Sequence, residues 1–491
     1  MKILSELLEN IPVLESHGNL EAHVSSVSLN SKVIEPHAIF VALRGNVLDG
    51  HSFIDEVIEK GATTIVYENN PKEFKNGVTY IKVADTHSVV GVIAGNFYGN
   101  PSRKLKLIGV TGTNGKTTTV TLLHQLFRNL GYKAGMIGTV VNKINDEFFE
   151  ATRTTPDSIT LNELLARMVD NSCEYCFMEV SSHSFSEKRI TALSFVGGIF
   201  TNLTLDHLDY HKTIDNYCDA KKGFFDMLPA TGFAIANIDD EKGEYMLSTT
   251  KAKKYAFGLK NAQVRPMQIL HRSDLCEYFN ERFESKLIGE FNAYNLLGIY
   301  AVAILLLYGD KLASPEAIQG GEKIKEIIKI LEAVPGRFQY IKSKSGVTGI
   351  VDYAHTPDAL ENVLKTANGM KENGRVIAVI GCGGDRDKSK RPIMAKIGYD
   401  MSDILILTSD NPRTEKPVDI LKEMKKGLKG LSLKDKVHII EDRHMAIEKA
   451  CSLALAGDFV LIAGKGHEDY QEVNGLKTHF DDMEELQKCF E

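Results

Sequence analysis

Apolar positions along this chain follow two rhythms, and their order sets the expected fold. Short unbroken apolar runs of strand length alternate with stretches in which apolar residues recur every three or four positions. Residues 105–110 read as a buried strand. Residues 118–130 then read as a helix, with Val120, Leu123, Leu126, Phe127 and Leu130 on one face and Gly131 as the stop. Upstream, 23–29, 38–43, 63–67 and 78–83 read as strands, and 53–60 and 86–97 as helices. Downstream, 176–180 reads as a central strand, and 296–308 as an apolar helix with Asn292 and Asn295 before it as caps. Four further strands are expected at 349–351, 376–380, 404–408 and 459–463. Alternating strands and helices imply an α/β fold with mostly parallel sheets. The turn clusters at 99–102 and 335–337 divide it into three domains. These are a small N-terminal α/β domain (1–100), a central doubly wound, mostly parallel domain carrying a phosphate loop (101–334), and a C-terminal Rossmann-like domain (335–491).

The chemistry-bearing residues fall where strands end. Thr111-Gly112-Thr113-Asn114-Gly115-Lys116-Thr117-Thr118 joins the 105–110 strand to its helix. Strand, glycine loop, Gly-Lys-Thr and helix make a phosphate cradle: loop N–H groups and the helix N-terminus face a polyphosphate. Lys116 would reach the outer phosphates and the Thr117 hydroxyl would ligate Mg²⁺. One position departs from the pattern, because Val110 stands where the first glycine is expected. Glu179 ends the central strand, a place suited to a metal-binding acid, and Ser181-Ser182-His183 follows. His207 and His211 are four apart and could share a helical face, but without a Glu-x-x pattern they point to isolated roles rather than to zinc. Asp206 and Asp209 equally suit turn capping.

The four late strands each lead into a polar loop: Asp352-Tyr353-Ala354-His355, Gly383-Gly384-Asp385-Arg386, Asp410-Asn411-Pro412-Arg413 and Gly464-Lys465-Gly466-His467-Glu468. Open α/β sheets bind ligands beyond the carboxyl ends of their strands. Arg386 and Arg413 with a facing acid suit a small zwitterion, guanidinium on carboxylate and carboxylate on ammonium.

Composition narrows the class. A chain of 491 residues exceeds one core, and 43% hydrophobic with 25% charged residues reads as globular. A net charge of −7 argues against a nucleic-acid partner. The longest apolar run, 299–308, is too short to span a bilayer. Glu6 and Glu9 interrupt the N-terminal apolar residues, unlike a secretory signal. Seven scattered cysteines fit reduced thiols in a cytoplasm. Cys173 and Cys176 form a lone C-x-x-C leading into a strand, which favours burial over metal or redox work.

Taken together, the phosphate loop, Met178-Glu179-Val180-Ser181-Ser182-His183, Asp206-His207-Leu208-Asp209-Tyr210-His211, Phe291-Asn292-Ala293-Tyr294-Asn295 and Gly336-Arg337-Phe338 resemble the Mur ligase family. The order continues through Asp352-Tyr353-Ala354-His355-Thr356-Pro357-Asp358, Gly383-Gly384-Asp385-Arg386-Asp387-Lys388 and Ala463-Gly464-Lys465-Gly466-His467-Glu468. Asp410-Asn411-Pro412-Arg413 resembles the signature of the branch that adds meso-diaminopimelate to the peptidoglycan stem peptide.

The resemblance implies an ATP-dependent amide ligase acting on UDP-N-acetylmuramoyl-L-alanyl-D-glutamate through an acyl phosphate. It implies ATP contacts at Gly112, Thr113, Asn114, Gly115, Lys116, Thr117, Thr118, Asn292, Asn295, Arg337, Asp352 and His355. Contacts to the UDP-muramyl dipeptide fall on Leu29, Ser31, Thr154, Thr155, Ser181 and Arg189. Diaminopimelate contacts fall on Arg386, Asp410, Asn411, Pro412, Arg413, Gly464 and Glu468. The implied catalytic set is Lys116, Lys221, His207 and Glu179, with Mg²⁺ on Thr117, Glu179, His207 and Lys221. Lys221 would be carbamylated (N6-carboxylysine), which requires a neutral amine; read alone, its stem could simply cover apolar surface. Small-molecule substrates, a monomer and a cytoplasmic location complete the expectation. The chain departs from the family pattern at Asn30, Lys32, Arg153 and Glu187. Two related readings remain, the same ligation with L-lysine and a folylpolyglutamate-synthase-like ligase.

Overall fold

The computed structural model describes residues 1–45, 48–259, 284–309, 311–312 and 314–491. Three open sheets succeed one another along the chain. The first has five strands in the order Val13–His17, Thr79–Val83, Thr64–Tyr67, Ile39–Val41, Val27–Ser28, parallel except for the first pair. The run expected as one strand at 23–29 splits in two. His23–Val24 pairs with Lys2–Ile3 in a separate ribbon, and Val27–Ser28 joins the sheet. Between them Ser25 turns its N–H to the His37 carbonyl and breaks the run.

The central sheet orders eight strands as Glu147–Glu150, Val141–Ile144, Ala134–Ile137, Tyr175–Glu179, Lys106–Thr111, Gly197–Phe200, Phe233–Asn237, Lys253–Phe257. All are parallel except the antiparallel hairpin at its edge. Helices cover both faces. Ile108, Val110, Val120 and Phe127 pack with Ile299 and Val302 on one side, and Leu107, Met178, Phe224 and Phe225 on the other. The phosphate-loop helix is Lys116–Asn129, starting two residues earlier than its apolar rhythm predicts. Gly115 causes this: at φ 85 it turns the loop directly into the first turn, and a Cβ there would lie 2.6 Å from Asn295 Oδ1.

Glu290–Tyr308 also begins early, so Asn292 and Asn295 sit inside its first turns rather than capping it. Asn292 Nδ2 donates to Ile288 O at 2.8 Å, and Asn295 Nδ2 to Asn292 Oδ1 at 3.3 Å. At 19 residues this helix is longer than the 299–308 run and meets the length of a membrane span. It is instead the central unit's core helix, packed on Lys116–Asn129 and Pro315–Ile328.

The third sheet runs Gln339–Lys342, Thr348–Asp352, Phe459–Ala463, Val376–Cys382, Ile404–Ser409, Val437–Ile439, parallel but for its first, antiparallel strand. The expected four late strands are its centre. The loop ends of this sheet meet the phosphate loop directly. Asn114 Nδ2 donates to Asp358 Oδ2 at 2.9 Å, and Arg337 Nη2 to Thr117 Oγ1 at 3.1 Å. On the other side Lys188 ties the central unit to Asp85 and Ser88 of the first.

Candidate active site

The carboxyl ends of the central and third sheets face each other across one cleft of about 1680 Å³. The phosphate loop forms its floor and is braced from behind. Asn202 takes the N–H of Thr113 on its carbonyl and that of Asn114 on its side chain, and Thr201 Oγ1 donates to Asn114 O at 2.6 Å. Lys116 is curled back, Nζ donating to Gly112 O at 2.9 Å and Thr113 O at 2.8 Å. Enclosure lowers its pKa, partly offset by Glu179 and Asp206. An ammonium held only by two carbonyls can exchange them for phosphate oxygens at little cost.

Glu179 is 1% exposed and reaches the cleft with both oxygens engaged by Thr139, Oε1 from its N–H at 2.8 Å and Oε2 from its hydroxyl at 3.1 Å. Lys221 is 2% exposed; Nζ donates to Gly112 O at 2.8 Å and lies 4.4 Å over the Tyr217 ring. Burial, reinforced by Lys116, pushes its pKa well below the usual lysine value. His207 caps a short helix at φ 55, its Nε2 3.4 Å from Asp206 Oδ2. Burial keeps His207 neutral; the same burial raises Asp206, but His207, His355 and Lys390 more than offset it and leave a carboxylate. His211 bonds Ser182 Oγ at 2.8 Å, a structural role. Among the described residues no three His, Cys, Asp or Glu side chains group as a metal site. Cys173 and Cys176 are buried and free.

Above the loop stands the set expected to contact a nucleotide. Arg337 lies 4.6 Å over the Tyr353 ring while bonding Thr117. Asp352 accepts from Phe338 N at 2.7 Å, and burial raises its pKa to about 6 despite Arg337. His355 Nδ1 donates to Tyr353 O at 2.9 Å, leaving Nε2 toward the cleft; burial lowers its pKa to about 4. Asn295 lines the cleft, whereas Asn292 and Gly112 sit just behind it.

The loops expected to take a diamino acid close the other end. Arg386, Asp410, Asn411, Arg413, Gly464 and Glu468 all line the cleft, and Pro412 does not. Pro412 acts through its carbonyl, against which Gly384 packs so closely that a Cβ would fall 1.9 Å away. Arg413 holds φ 52 through bonds to Glu472 and Asn474, and its Nη1 donates to Gly384 O at 2.7 Å. Glu468 accepts from Asn411 Nδ2 at 2.7 Å. Burial and Asp410 raise its pKa, opposed by Lys465 and Arg413.

Thr154 and Ser181 line the cleft; Thr155 and Arg189 do not. Thr155 Oγ1 instead buttresses the strand end by donating to Glu179 O, and Arg189 holds Thr155 O while paired with Glu187. Glu187, a departure from the family pattern, thus has a local partner. Leu29 and Ser31 belong to the first unit and lie away from the cleft. There Asn30 Oδ1 accepts from Lys32 N at 3.0 Å, a turn in place of an ion pair. Arg153 is on the cleft wall.

Several contacts gave no sequence signal of their own. Asp358 and Asn114 are 244 residues apart. Arg391 is fully buried between Glu415 and Glu423 and bonds Gly383 O at 3.0 Å. Arg443, equally buried, pairs with Asp482 and donates to Ser409 O and Ala463 O, joining two of the strand ends.

Three family models match the chain: "Mur ligase family, catalytic domain" at residues 23–98, "Mur ligase middle domain" at 110–303 and "Mur ligase, glutamate ligase domain" at 336–466. A UDP-N-acetylmuramoyl-L-alanyl-D-glutamate–2,6-diaminopimelate ligase of Phocaeicola vulgatus is 49% identical over 494 residues, covering 99% of each chain. The protein of that name from Clostridium tetani is 40% identical over 99% of each. A solved structure of a ligase of the same name superposes with a TM-score of 0.66 at 29% identity, covering 100% of this chain and 99% of that one. A folylpolyglutamate synthase of Mycobacterium tuberculosis shares the fold over 76% of this chain, at 17% identity and a TM-score of 0.56.

Proposed function

The chain belongs to the Mur ligase family, and we propose that it joins meso-diaminopimelate to UDP-N-acetylmuramoyl-L-alanyl-D-glutamate at the expense of ATP, in peptidoglycan biosynthesis. It is an ATP-dependent ligase. A carboxylate is a poor acyl donor because its leaving group would be oxide. The γ-carboxylate of the D-glutamate therefore attacks the γ-phosphorus of ATP, releasing ADP and forming an acyl phosphate. A neutral amine of the diamino acid then attacks the acyl carbon. The C–N bond forms, the C–O bond to phosphate breaks, and the amine gives up a proton. The observation that carries this reading is the single cleft in which the phosphate loop, the buried Lys221 amine and the arginine- and acid-bearing loops face one another.

Each group has a task. Lys116 leaves the Gly112 and Thr113 carbonyls for the transferring phosphoryl group, neutralising its charge where it develops. Within the loop from Gly112 to Thr118, Asn202 holds the N–H groups of Thr113 and Asn114 and so fixes the loop's shape, while the remaining N–H groups cradle the phosphates; Asn295, Arg337, Asp352 and His355 hold the rest of the nucleotide, with Asn292 supporting Asn295 from behind. Thr154, Thr155, Ser181 and Arg189 position the muramyl dipeptide; Leu29 and Ser31 take the uridine in the first unit. Arg386 and Arg413 clamp carboxylates of diaminopimelate, with Asp410 and Glu468 toward its ammonium and Asn411, Pro412 and Gly464 shaping the pocket.

Mg²⁺ fits Thr117, Glu179, His207 and Lys221 on one condition. A Lys221 ammonium would repel a cation, yet its full burial and depressed pKa favour the neutral amine, which combines with CO₂ to give an anionic carbamate. When bound, the ion screens the phosphoryl oxygens. We place the enzyme in the cytoplasm as a monomer with small-molecule substrates and no nucleic-acid partner. The test is phosphate release from ATP, which should require both the UDP-dipeptide and meso-diaminopimelate. Release with either one alone would overturn the reading.

A further inference from the structure

The stretch 383–391 carries Arg386, Lys388, Lys390 and Arg391. Arg391 is neutralised by Glu415 and Glu423, at 2.9 and 2.7 Å. Lys388 reaches Glu415 at 3.0 Å, and Arg386 belongs to the diamino-acid loops. Lys390 differs from all of these. It is 8% exposed and lines the cleft, and among the described residues it has neither a hydrogen-bond nor an ion-pair partner. A nearly buried ammonium without an anion is costly to keep. Folds retain such a group where a ligand supplies the missing charge.

Its surroundings say which anion. Lys390 opens a 12-residue helix, Lys390–Met401, at the wall of the cleft. From there its charge acts on Asp206 and His355, on opposite sides of the seam between the central and third sheets. Asp206 is not in contact with it: no ion pair joins the two, and the Asp206 carboxylate lies against the His207 ring at 3.4 Å and the His355 ring at 4.0 Å. The carboxylates of the diamino acid already have Arg386 and Arg413. The seam is where an acyl phosphate built over the phosphate loop must meet the attacking amine.

Building on the acyl-phosphate reading above, we infer that Lys390 binds the phosphoryl group of the acyl phosphate and bears the charge that accumulates as phosphate departs. As the amine nitrogen forms the C–N bond, the C–O bond breaks and its electron pair stays on the phosphate oxygen facing the ammonium. The surplus proton of the amine passes to solvent.

The test uses the full-length enzyme with Lys390→Met and Lys390→Arg. Loss of one such donor should lower kcat on the order of 100-fold while leaving KM for ATP and diaminopimelate unchanged. Lys390→Arg should recover part of the rate. Inorganic phosphate should inhibit wild type and Lys390→Arg but lose its grip on Lys390→Met. The thermal midpoint of Lys390→Met should not fall, because no protein partner is lost. A raised KM for diaminopimelate at constant kcat would make Lys390 an amino-acid contact and overturn the inference. Unchanged kinetics and phosphate inhibition would reduce it to a packing stem. If Lys390→Met proves unstable, Lys390→Gln takes its place: weakened phosphate inhibition supports the inference, and inhibition equal to wild type overturns it. Failure of the ligase reading is separate, since wild type would then show no release dependent on both substrates.

Discussion

Replacing Arg413 by alanine should remove most of the preference for meso-diaminopimelate over lysine. The two amino acids differ by one carboxylate beside the distal ammonium. Arg413 faces the cleft from a loop fixed at both ends, its N–H on Glu472 O at 3.0 Å and its carbonyl on Asn474 N at 2.7 Å. A charge-assisted hydrogen bond to that carboxylate contributes about 1.5–3 kcal/mol. At 1.36 kcal/mol per tenfold, this is about 10- to 150-fold in kcat/KM. The free guanidinium is not stranded when lysine binds, because Gly384 O at 2.7 Å and Glu472 at 3.9 Å remain its partners. Selectivity due to Arg413 should therefore stay within that range. Alanine keeps a Cβ at φ 52, so backbone strain is unchanged, and loss of the Gly384 bond affects both substrates alike. The assay is kcat/KM for each amino acid at saturating ATP and UDP-dipeptide. Diaminopimelate use should fall by the stated factor with lysine use nearly constant, since removing a clamp builds no lysine pocket. A variant that keeps its selectivity, or a wild type that uses both equally, refutes the argument.

Lys116→Ala should abolish amide formation while costing only about 1–2 kcal/mol of stability, because its ammonium bonds just two loop carbonyls; near-normal turnover would remove the phosphate-loop assignment. Lys221→Ala should be nearly inactive and partly rescued by formate or acetate, which would stand in for the carbamate, and intact mass of the wild type should show the added CO₂. For Asp352, a folded pKa near 6 against 3.8 unfolded means the folded state binds that proton more tightly. Its charge therefore costs stability above pH 6, about 3 kcal/mol at most, and the cost fades as pH falls from 6 toward 4. Asp352→Asn should accordingly be more stable than wild type at pH 8 in urea melts, with the gap closing by pH 4; a pH-independent gap would contradict the buried charge.

What the sequence disclosed was local, and what it hid was long-range. The phosphate loop stands out because glycine, lysine and threonine are needed at fixed offsets between a strand and a helix. The late loops stand out because polar clusters repeatedly follow apolar runs. The helix starts at Lys116 and Glu290 come earlier than expected because Gly115 and Gly289, rather than the apolar rhythm, set the first turn. The edge hairpin Val141–Ile144 and Glu147–Glu150 escapes a sequence reading because its half-exposed strands carry little apolar signal. Lys221 read alone is a surface stem; only resemblance suggests a carbamate, and only the fold buries it among Gly112, Tyr217 and Lys116. Lys390, Arg391 and Arg443 are three cations of like appearance in sequence. One has no anion in contact and two are ion-paired, a difference set by acids up to 39 residues away.

The acyl phosphate is the centre of the proposed chemistry, and isotope transfer tests it most directly. UDP-dipeptide labelled with ¹⁸O in the γ-carboxylate of its D-glutamate is turned over with ATP and meso-diaminopimelate, and the released phosphate is analysed by mass. The mechanism predicts one labelled oxygen in each phosphate and none in ADP, because the carboxylate oxygen that attacks phosphorus leaves with it. Unlabelled phosphate, or label appearing in the nucleotide, would contradict it.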